Sequence, residues 1–248
     1  MNPDRARSFG AAADDYDRLR PAPAPEAVRR LLPGPGAAVL DLGAGTGLLT
    51  RALTAAGATD VVAVEPDDAM RGVLATRSPG VRVLAGTAED VPLPDASVDA
   101  VLVASAWHWF DPDRASAEVG RVLRPGGVLG LLWTYWDPAQ EWVAELRAIG
   151  GLDDQGRAPA VDADFVVDLP EGAPFGPGEP QVFRHAVWMA AADVAAMLGT
   201  HSAVLTLPAD ERAEVDRRAR EHVARAVGTD PVRVPFVTAV WRAFRTSG

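Results

Sequence analysis

Five short apolar runs, each closed by turn-forming residues, recur along the first 133 residues: "AAVLDLG" (37–43), "DVVAVE" (60–65), "VRVLAG" (81–86), "VDAVLVASA" (98–106) and "GVLGLLW" (127–133). Short β-branched runs bounded in this way read as strands buried on both faces. Between them, 47–56, 67–77 and 113–123 have the length and spacing of helices. Strand, helix, strand in repetition implies an α/β fold: a parallel sheet with right-handed crossovers.

After Trp136 the rhythm changes. A short helix is expected at 139–149, then a long surface loop or lid through the glycines, prolines and acids of 150–180. A strand at 181–188 and a short helix near 191–198 follow. In 209–227, Val215, Ala219, Val223 and Val227 recur every four residues, so that helix is amphipathic. Its charged run 210–222, His222 included, reads as the solvated face, with i,i+4 ion pairs along it. The alternation in 232–244 predicts a last strand joining the sheet edge, where Pro235 restricts its pairing. Seven strands in one sheet result, and 248 residues suffice for one large domain.

The balance of 24 basic against 34 acidic residues gives a net charge of −10, a sign that repels phosphate backbones and anionic membrane surfaces. Nucleic acid and membrane are therefore not expected as partners. There is no cysteine for disulfides or thiolate metal sites. The four histidines show no ligand spacing, so no metal is expected either. Residues 1–21 lack the apolar stretch of a signal peptide, and nowhere do 18 uninterrupted apolar residues occur. A soluble, cytoplasmic protein is the expectation.

The first strand ends in "LDLGAGTGLLT" (40–50), with Gly43, Gly45 and Gly47 at the strand-to-helix corner. Parallel sheets bind ligands at such corners, and bare backbone there suits a tight turn or a ligand pressed against the main chain. The spacing is G-x-G-x-G, with Leu48 where a dinucleotide fingerprint has its third glycine, and no phosphate-binding lysine follows. Glu65 closes the second strand 18 residues after Gly47, where a carboxylate can accept both hydroxyls of a ribose. NAD and other nucleosides share that requirement.

Four segments in order, "DLGAGTG", "VEPDDAM", "GTAEDVPLP" and "RVLRPGG", separate these possibilities. Together, across residues 9–135, the chain resembles the class I S-adenosylmethionine-dependent methyltransferases, and within them the methyltransferase type 11 group. The resemblance implies a Rossmann-like seven-stranded sheet, mostly parallel with an antiparallel last strand and helices on both faces. It divides a single domain into an arm over the cofactor (1–30), a cofactor-binding core (31–136), cap elements (137–210) and a final helix and strand (211–248). The cofactor is then S-adenosyl-L-methionine, held by Asp41, Gly43, Ala44, Gly45, Gly47, Glu65, Pro66, Met70, Thr87, Ala88, Glu89, Ala104 and Ser105. Thr87 stands where many relatives have Asp, which shifts the expected adenine contact to the Ala88 backbone and the Glu89 carboxylate.

"ASAWHWFD" (104–111) resembles the "HWF" stretch of a subgroup that includes trans-aconitate methyltransferase-like proteins. That makes His108 the candidate base or hydrogen-bond donor and Trp107 and Trp109 candidate substrate contacts. "FGAAADDYDRLRP" (9–21) resembles the family's N-terminal arm, with Tyr16 and Arg20 at the positions that meet the cofactor; Arg20 suits its carboxylate and the Tyr16 ring its cation. Farther on, Arg184, His185 and His201 lie in the region that caps substrate, and Thr200 or Ser202 is expected to line the pocket. The expected reaction is methyl transfer to a small organic acceptor at oxygen, a carboxylate or nitrogen in preference to carbon, by a monomer or homodimer. An NAD-dependent oxidoreductase and a catalytically silent cofactor-binding subunit are the alternatives.

Overall fold

The computed structural model describes residues 13–152, 167–228 and 230–246. Two helices, α1 (Ala13–Leu19) and α2 (Pro25–Leu31), precede the sheet. Strands and helices then alternate: β1 (Ala38–Leu42), α3 (Leu48–Ala55), β2 (Asp60–Val64), α4 (Asp68–Arg77), β3 (Arg82–Leu84), β4 (Val98–Ala104), α5 (Pro112–Val122) and β5 (Leu123–Trp136). Helix α6 (Glu141–Ile149), β6 (Glu179–Met189), α7 (Ala191–Leu198), α8 (Ser202–Leu205), α9 (Ala209–Val227) and β7 (Val232–Phe244) complete it. Of the lid expected at 150–180, residues 153–166 lie outside the described residues, as do 1–12 of the arm; 167–178 carry only an isolated bridge from Phe175 to Arg245.

One seven-stranded sheet has the order β3-β2-β1-β4-β5-β7-β6. The first five strands are parallel, and β7 runs antiparallel to both neighbours. Apolar residues of α5 pack on one face and those of α2 and α3 on the other, which is why β1 and β4 are apolar on both sides. A third apolar cluster joins the start of β7 to α6, α7 and α9.

Helices α4 and α5 begin where a side chain satisfies their first N–H groups. Asp67 accepts from Ala69 and Met70 at the start of α4; Asp111 accepts from Arg114 at the start of α5, with Pro112 next in line.

Two expectations are corrected. The last strand is not at the edge: β7 lies between β5 and β6, and β6 is the edge strand. Pro235 is tolerated inside the sheet because it lies past the last β5 ladder pair, Trp136 with Phe236, and its carbonyl still accepts the Asp137 N–H at 3.0 Å. His222 is not on the solvated face. It falls on the buried stripe with Ala219 and Val223, its Nε2 2.7 Å from the Trp142 carbonyl and its Nδ1 3.5 Å from Glu145. The remainder of that face carries the expected i,i+4 pairs, Arg217 with Glu221 and Arg220 with Asp216.

Candidate active site at the strand ends

At the carboxyl ends of β2, β1, β4 and β5 a cavity opens, with about 1110 Å³ of empty space including its mouth. Its floor is the 43–46 loop, Glu65 and Pro66, the 104–106 segment, Leu132 and Thr134. Met70, Trp109 and Phe110 stand at its sides, and Tyr16, Arg20, Pro21 and Pro23 form a roof. The topology puts it there because every parallel strand delivers its following loop to the same end.

All three corner glycines are left-handed, with φ of +68°, +57° and +87° at Gly43, Gly45 and Gly47. Their surroundings differ. A Cβ on Gly43 would stand 2.9 Å from the Ala106 Cβ, and one on Gly47 2.9 Å from the Leu74 Cγ, so these two answer to turn conformation and protein packing. Only at Gly45 is the nearest atom, Met70 Sδ, at an ordinary 3.7 Å. Ligand approach is thus a reason for the middle glycine and not for Gly47, which does not border the cavity.

Glu65 is buried, with Oε2 accepting the Gly45 N–H at 2.8 Å and Oε1 the Asp67 N–H at 2.9 Å. Each oxygen keeps a second lone pair for a diol on the cavity side. Burial pushes its carboxyl above the usual range. Asp41 lies beneath the loop, off the cavity wall; its Oδ2 accepts the Thr50 hydroxyl at 2.5 Å, while Oδ1 is buried without a partner among the described residues. Burial pushes Asp41 up to about 7, and the Glu65 charge adds to the effect. The Thr46 hydroxyl, on the wall, is also buried and has no partner among the described residues. An orphan hydroxyl, an open glycine face and a fixed carboxylate fit a nucleoside that carries an amino-acid tail.

The structure brings Tyr16, Arg20, Gly43, Ala44, Gly45, Glu65, Pro66, Met70, Ala104, Ser105 and Trp109 to this cavity. Ser105, just past β4, adopts the left-handed φ of +53°, a strained conformation of the kind that concentrates at functional sites. Thr87, Ala88 and Glu89 do not border it: Thr87 bridges to Asp90, Ala88 is in the core, and Glu89 accepts the Asp111 N–H at 2.9 Å. His108 is exposed, beside Trp109 with ring centroids 4.7 Å apart, and is not on the wall. Trp107 is buried in the core against Phe110.

Arg20 carries its guanidinium 5.2 Å from the centre of the Tyr16 ring. It donates to Thr200 twice, Nε to Oγ1 at 2.8 Å and Nη2 to the carbonyl at 3.0 Å. Thr200 therefore meets the cavity only through Arg20, and Ser202 opens α8 away from it. Arg184 pairs with Asp137 at 3.3 Å, and the His185 ring packs on Phe236. The reading of the sequence missed Thr46, Leu132 and Thr134 on the wall. Thr46 was within reach, inside the quoted loop; Thr134 follows Leu132 by one strand alternation.

Among the described residues no group of three His, Asp or Glu could hold a metal ion, and no helix is long and apolar enough to cross a membrane.

Residues 40–131 match the model of the methyltransferase domain family. An uncharacterized methyltransferase of Mycobacterium tuberculosis is 44% identical over 247 residues, covering 97% of this chain and 96% of the relative. A malonyl-[acyl-carrier protein] O-methyltransferase of Methylococcus capsulatus is 41% identical over 133 residues, 49% of this chain and 48% of that one. Among solved structures, one from Anaeromyxobacter dehalogenans, assigned as a type II methyltransferase, superposes with a TM-score of 0.62 at 28% identity, covering 91% of this chain and 97% of its own. A SAM-dependent methyltransferase from Thermotoga maritima has the same fold at a TM-score of 0.56, with 21% identity and coverage of 97% and 99%.

Proposed function

Because the chain belongs to the methyltransferase family, as a class I S-adenosylmethionine-dependent enzyme, we propose that the strand-end cavity holds the cofactor and presents its methyl group to a small organic acceptor. When bound, the cofactor supplies an electrophilic methyl on a sulfonium. Glu65 accepts the ribose hydroxyls, Pro66 and Met70 flank the base, and Thr46 bonds the amino-acid tail. Arg20 takes the carboxylate of that tail, and the Tyr16 ring faces the sulfonium cation. Ser105, Ala106, Trp109 and Phe110 then surround the methyl and exclude water.

Of the groups on the wall, Tyr16 is the one placed to take a proton, since Glu65 is engaged and His108 is outside. The wall therefore favours positioning over proton abstraction, which suits an acceptor whose nucleophile needs no deprotonation before attack, a carboxylate or a neutral nitrogen. The observation that carries this reading is Glu65, buried at the cavity with both oxygens fixed by backbone N–H groups. Thermal unfolding with S-adenosylhomocysteine and, separately, NADH tests it: the first raises Tm and the second does not. A rise with NADH alone defeats the proposal. Labelled methyl transfer to a broad acceptor panel tests turnover, and its complete absence in a protein that binds S-adenosylhomocysteine favours the silent subunit.

A further inference from the structure

The strand ends that floor the cavity run in the order β2, β1, β4, β5, with Glu65 at one end and Thr134 at the other. Three strand spacings put Thr134 about 14 Å across from Glu65. Ser105 is nearer to Thr134: its N–H bonds the Leu132 carbonyl at 2.8 Å, and Thr134 follows Leu132 on the same face of β5. The Ala24 N–H reaches Thr238, the β7 neighbour of Thr134, so Pro21 and Pro23, just before it in the arm, roof this end. Thr134 is thus a hydroxyl on a stretch of wall that Leu132, Pro21 and Pro23 make apolar.

Which way that hydroxyl bonds is decided by its neighbour. Thr238 is 0% exposed, and its oxygen lies 3.0 Å from the Thr134 oxygen and accepts the Ala24 N–H at 3.0 Å. If Thr134 donated to Thr238, the Thr238 proton would be buried with no acceptor among the described residues, at the full desolvation penalty of an unmade bond. Thr238 therefore donates and Thr134 accepts. The Thr134 proton is left for a group on its open side, which is the cavity, and no acceptor for it stands among the described residues. Bonds in line polarise one another, so the chain from Ala24 through Thr238 strengthens Thr134 as a donor.

We propose that Thr134 is a specificity-determining residue, whose hydroxyl donates a hydrogen bond to a carbonyl oxygen of the methyl acceptor while the apolar body of that acceptor packs on Leu132, Pro21 and Pro23. The proposal rests on the reading under "Proposed function", where Arg20 and Glu65 are committed to the cofactor. It names the acceptor class: small uncharged molecules that carry a carbonyl group and a neutral nitrogen nucleophile, the nitrogen lying nearer Ser105. One neutral donor on an apolar wall matches an uncharged carbonyl, whereas a carboxylate held there keeps a charge that a hydroxyl does not balance.

Full-length protein saturated with S-adenosylhomocysteine is titrated calorimetrically with 3-acetylpyridine and 4-acetylpyridine, with the two ethylpyridines that replace the carbonyl by a methylene, and with the two pyridine carboxylates. At least one ketone binds about fivefold or more tightly than its ethyl counterpart, the yield of one net hydrogen bond, and more tightly than its carboxylate. Thr134→Val, which keeps the shape and loses the hydroxyl, removes most of that preference, Thr134→Ser keeps it, and both leave S-adenosylhomocysteine affinity within twofold. The absence of a preferred ketone, a preference that survives in the valine variant or is lost in the serine variant, or a carboxylate that binds more tightly than its ketone overturns the proposal. The S-adenosylhomocysteine titration alone reads the cofactor placement separately: its failure condemns that placement, while the preference for the carbonyl decides the role of Thr134.

Discussion

Two buried carboxylates 24 positions apart in sequence occupy one corner, and burial raises both above the ordinary range. They do different work. Glu65 borders the cavity, and its replacement by Ala weakens S-adenosylhomocysteine binding by about a hundredfold, near 3 kcal/mol, in a calorimetric titration. Asp41 borders no ligand space, and its signature is in stability. Its carboxyl rises from an ordinary 3.8 to about 7 on folding, so between those values the folded chain binds more protons than the unfolded one and stability falls as pH rises. Asp41→Asn removes that slope: between pH 5 and pH 8, urea unfolding shows the variant gaining about 2–3 kcal/mol on the wild type. A difference that does not change with pH refutes the assignment. His108, exposed and off the wall, tolerates alanine with kcat within about twofold. The cavity positions of Glu65, Gly43 and Gly45 were legible because their spacing is local, while Gly47 serves packing instead; the place of His108 was not legible, since one 3₁₀ turn at Trp107–Trp109 decides which rings face inward.

At the scale of elements, the roof depends on a helix too short to stand alone. Seven residues make up α1, below the length at which a helix persists in water, so tertiary contacts must hold it. On one side Asp17 reaches Arg51 at 2.5 Å and Arg77 at 3.7 Å. On the other, Arg18 pairs with Asp193 and Arg20 with Thr200, both from the region of α7. Buried Thr200 is therefore a positioning residue for Arg20. Thr200→Val raises the S-adenosylhomocysteine Kd about tenfold and speeds tryptic cleavage after Arg18, while Thr200→Ser restores both. Unchanged cleavage in the valine variant shows that the roof is held elsewhere. This partnership was not legible from sequence: 180 residues separate Arg20 from Thr200, and no periodicity reports a contact of that range. The strands and most helices were legible, because apolar run length and helical spacing act within each segment; the short helices α2 and α8 were not read, and residues 123–126 were drawn into β5 by pairing of Leu123 with Val98.

For the molecule as a whole, the interior position of β7 matters more than its hydrophobicity. Alternation identified the strand, but an edge and an interior antiparallel strand carry similar alternation, so its neighbours could not be read from it. Once between β5 and β6, β7 supplies all three apolar clusters: Ala239, Trp241 and Ala243 to one, Val232, Val234 and Phe236 to another, Val240 to the third. The arm is tied in as well, through Leu19 in the second cluster and Ala24 and Val28 in the third. A structure stitched by one strand unfolds as one unit, even though its second cluster contains none of the cofactor loop. Phe236, 1% exposed, is the largest apolar side chain β7 gives that cluster, and Phe236→Ala costs about 3–5 kcal/mol. The loss appears as one shifted transition, coincident by far-ultraviolet circular dichroism and by tryptophan fluorescence. If the two signals separate, with the 13–136 region retaining its structure beyond the first transition, then β7 does not couple the clusters and the terminal elements form an independent cap.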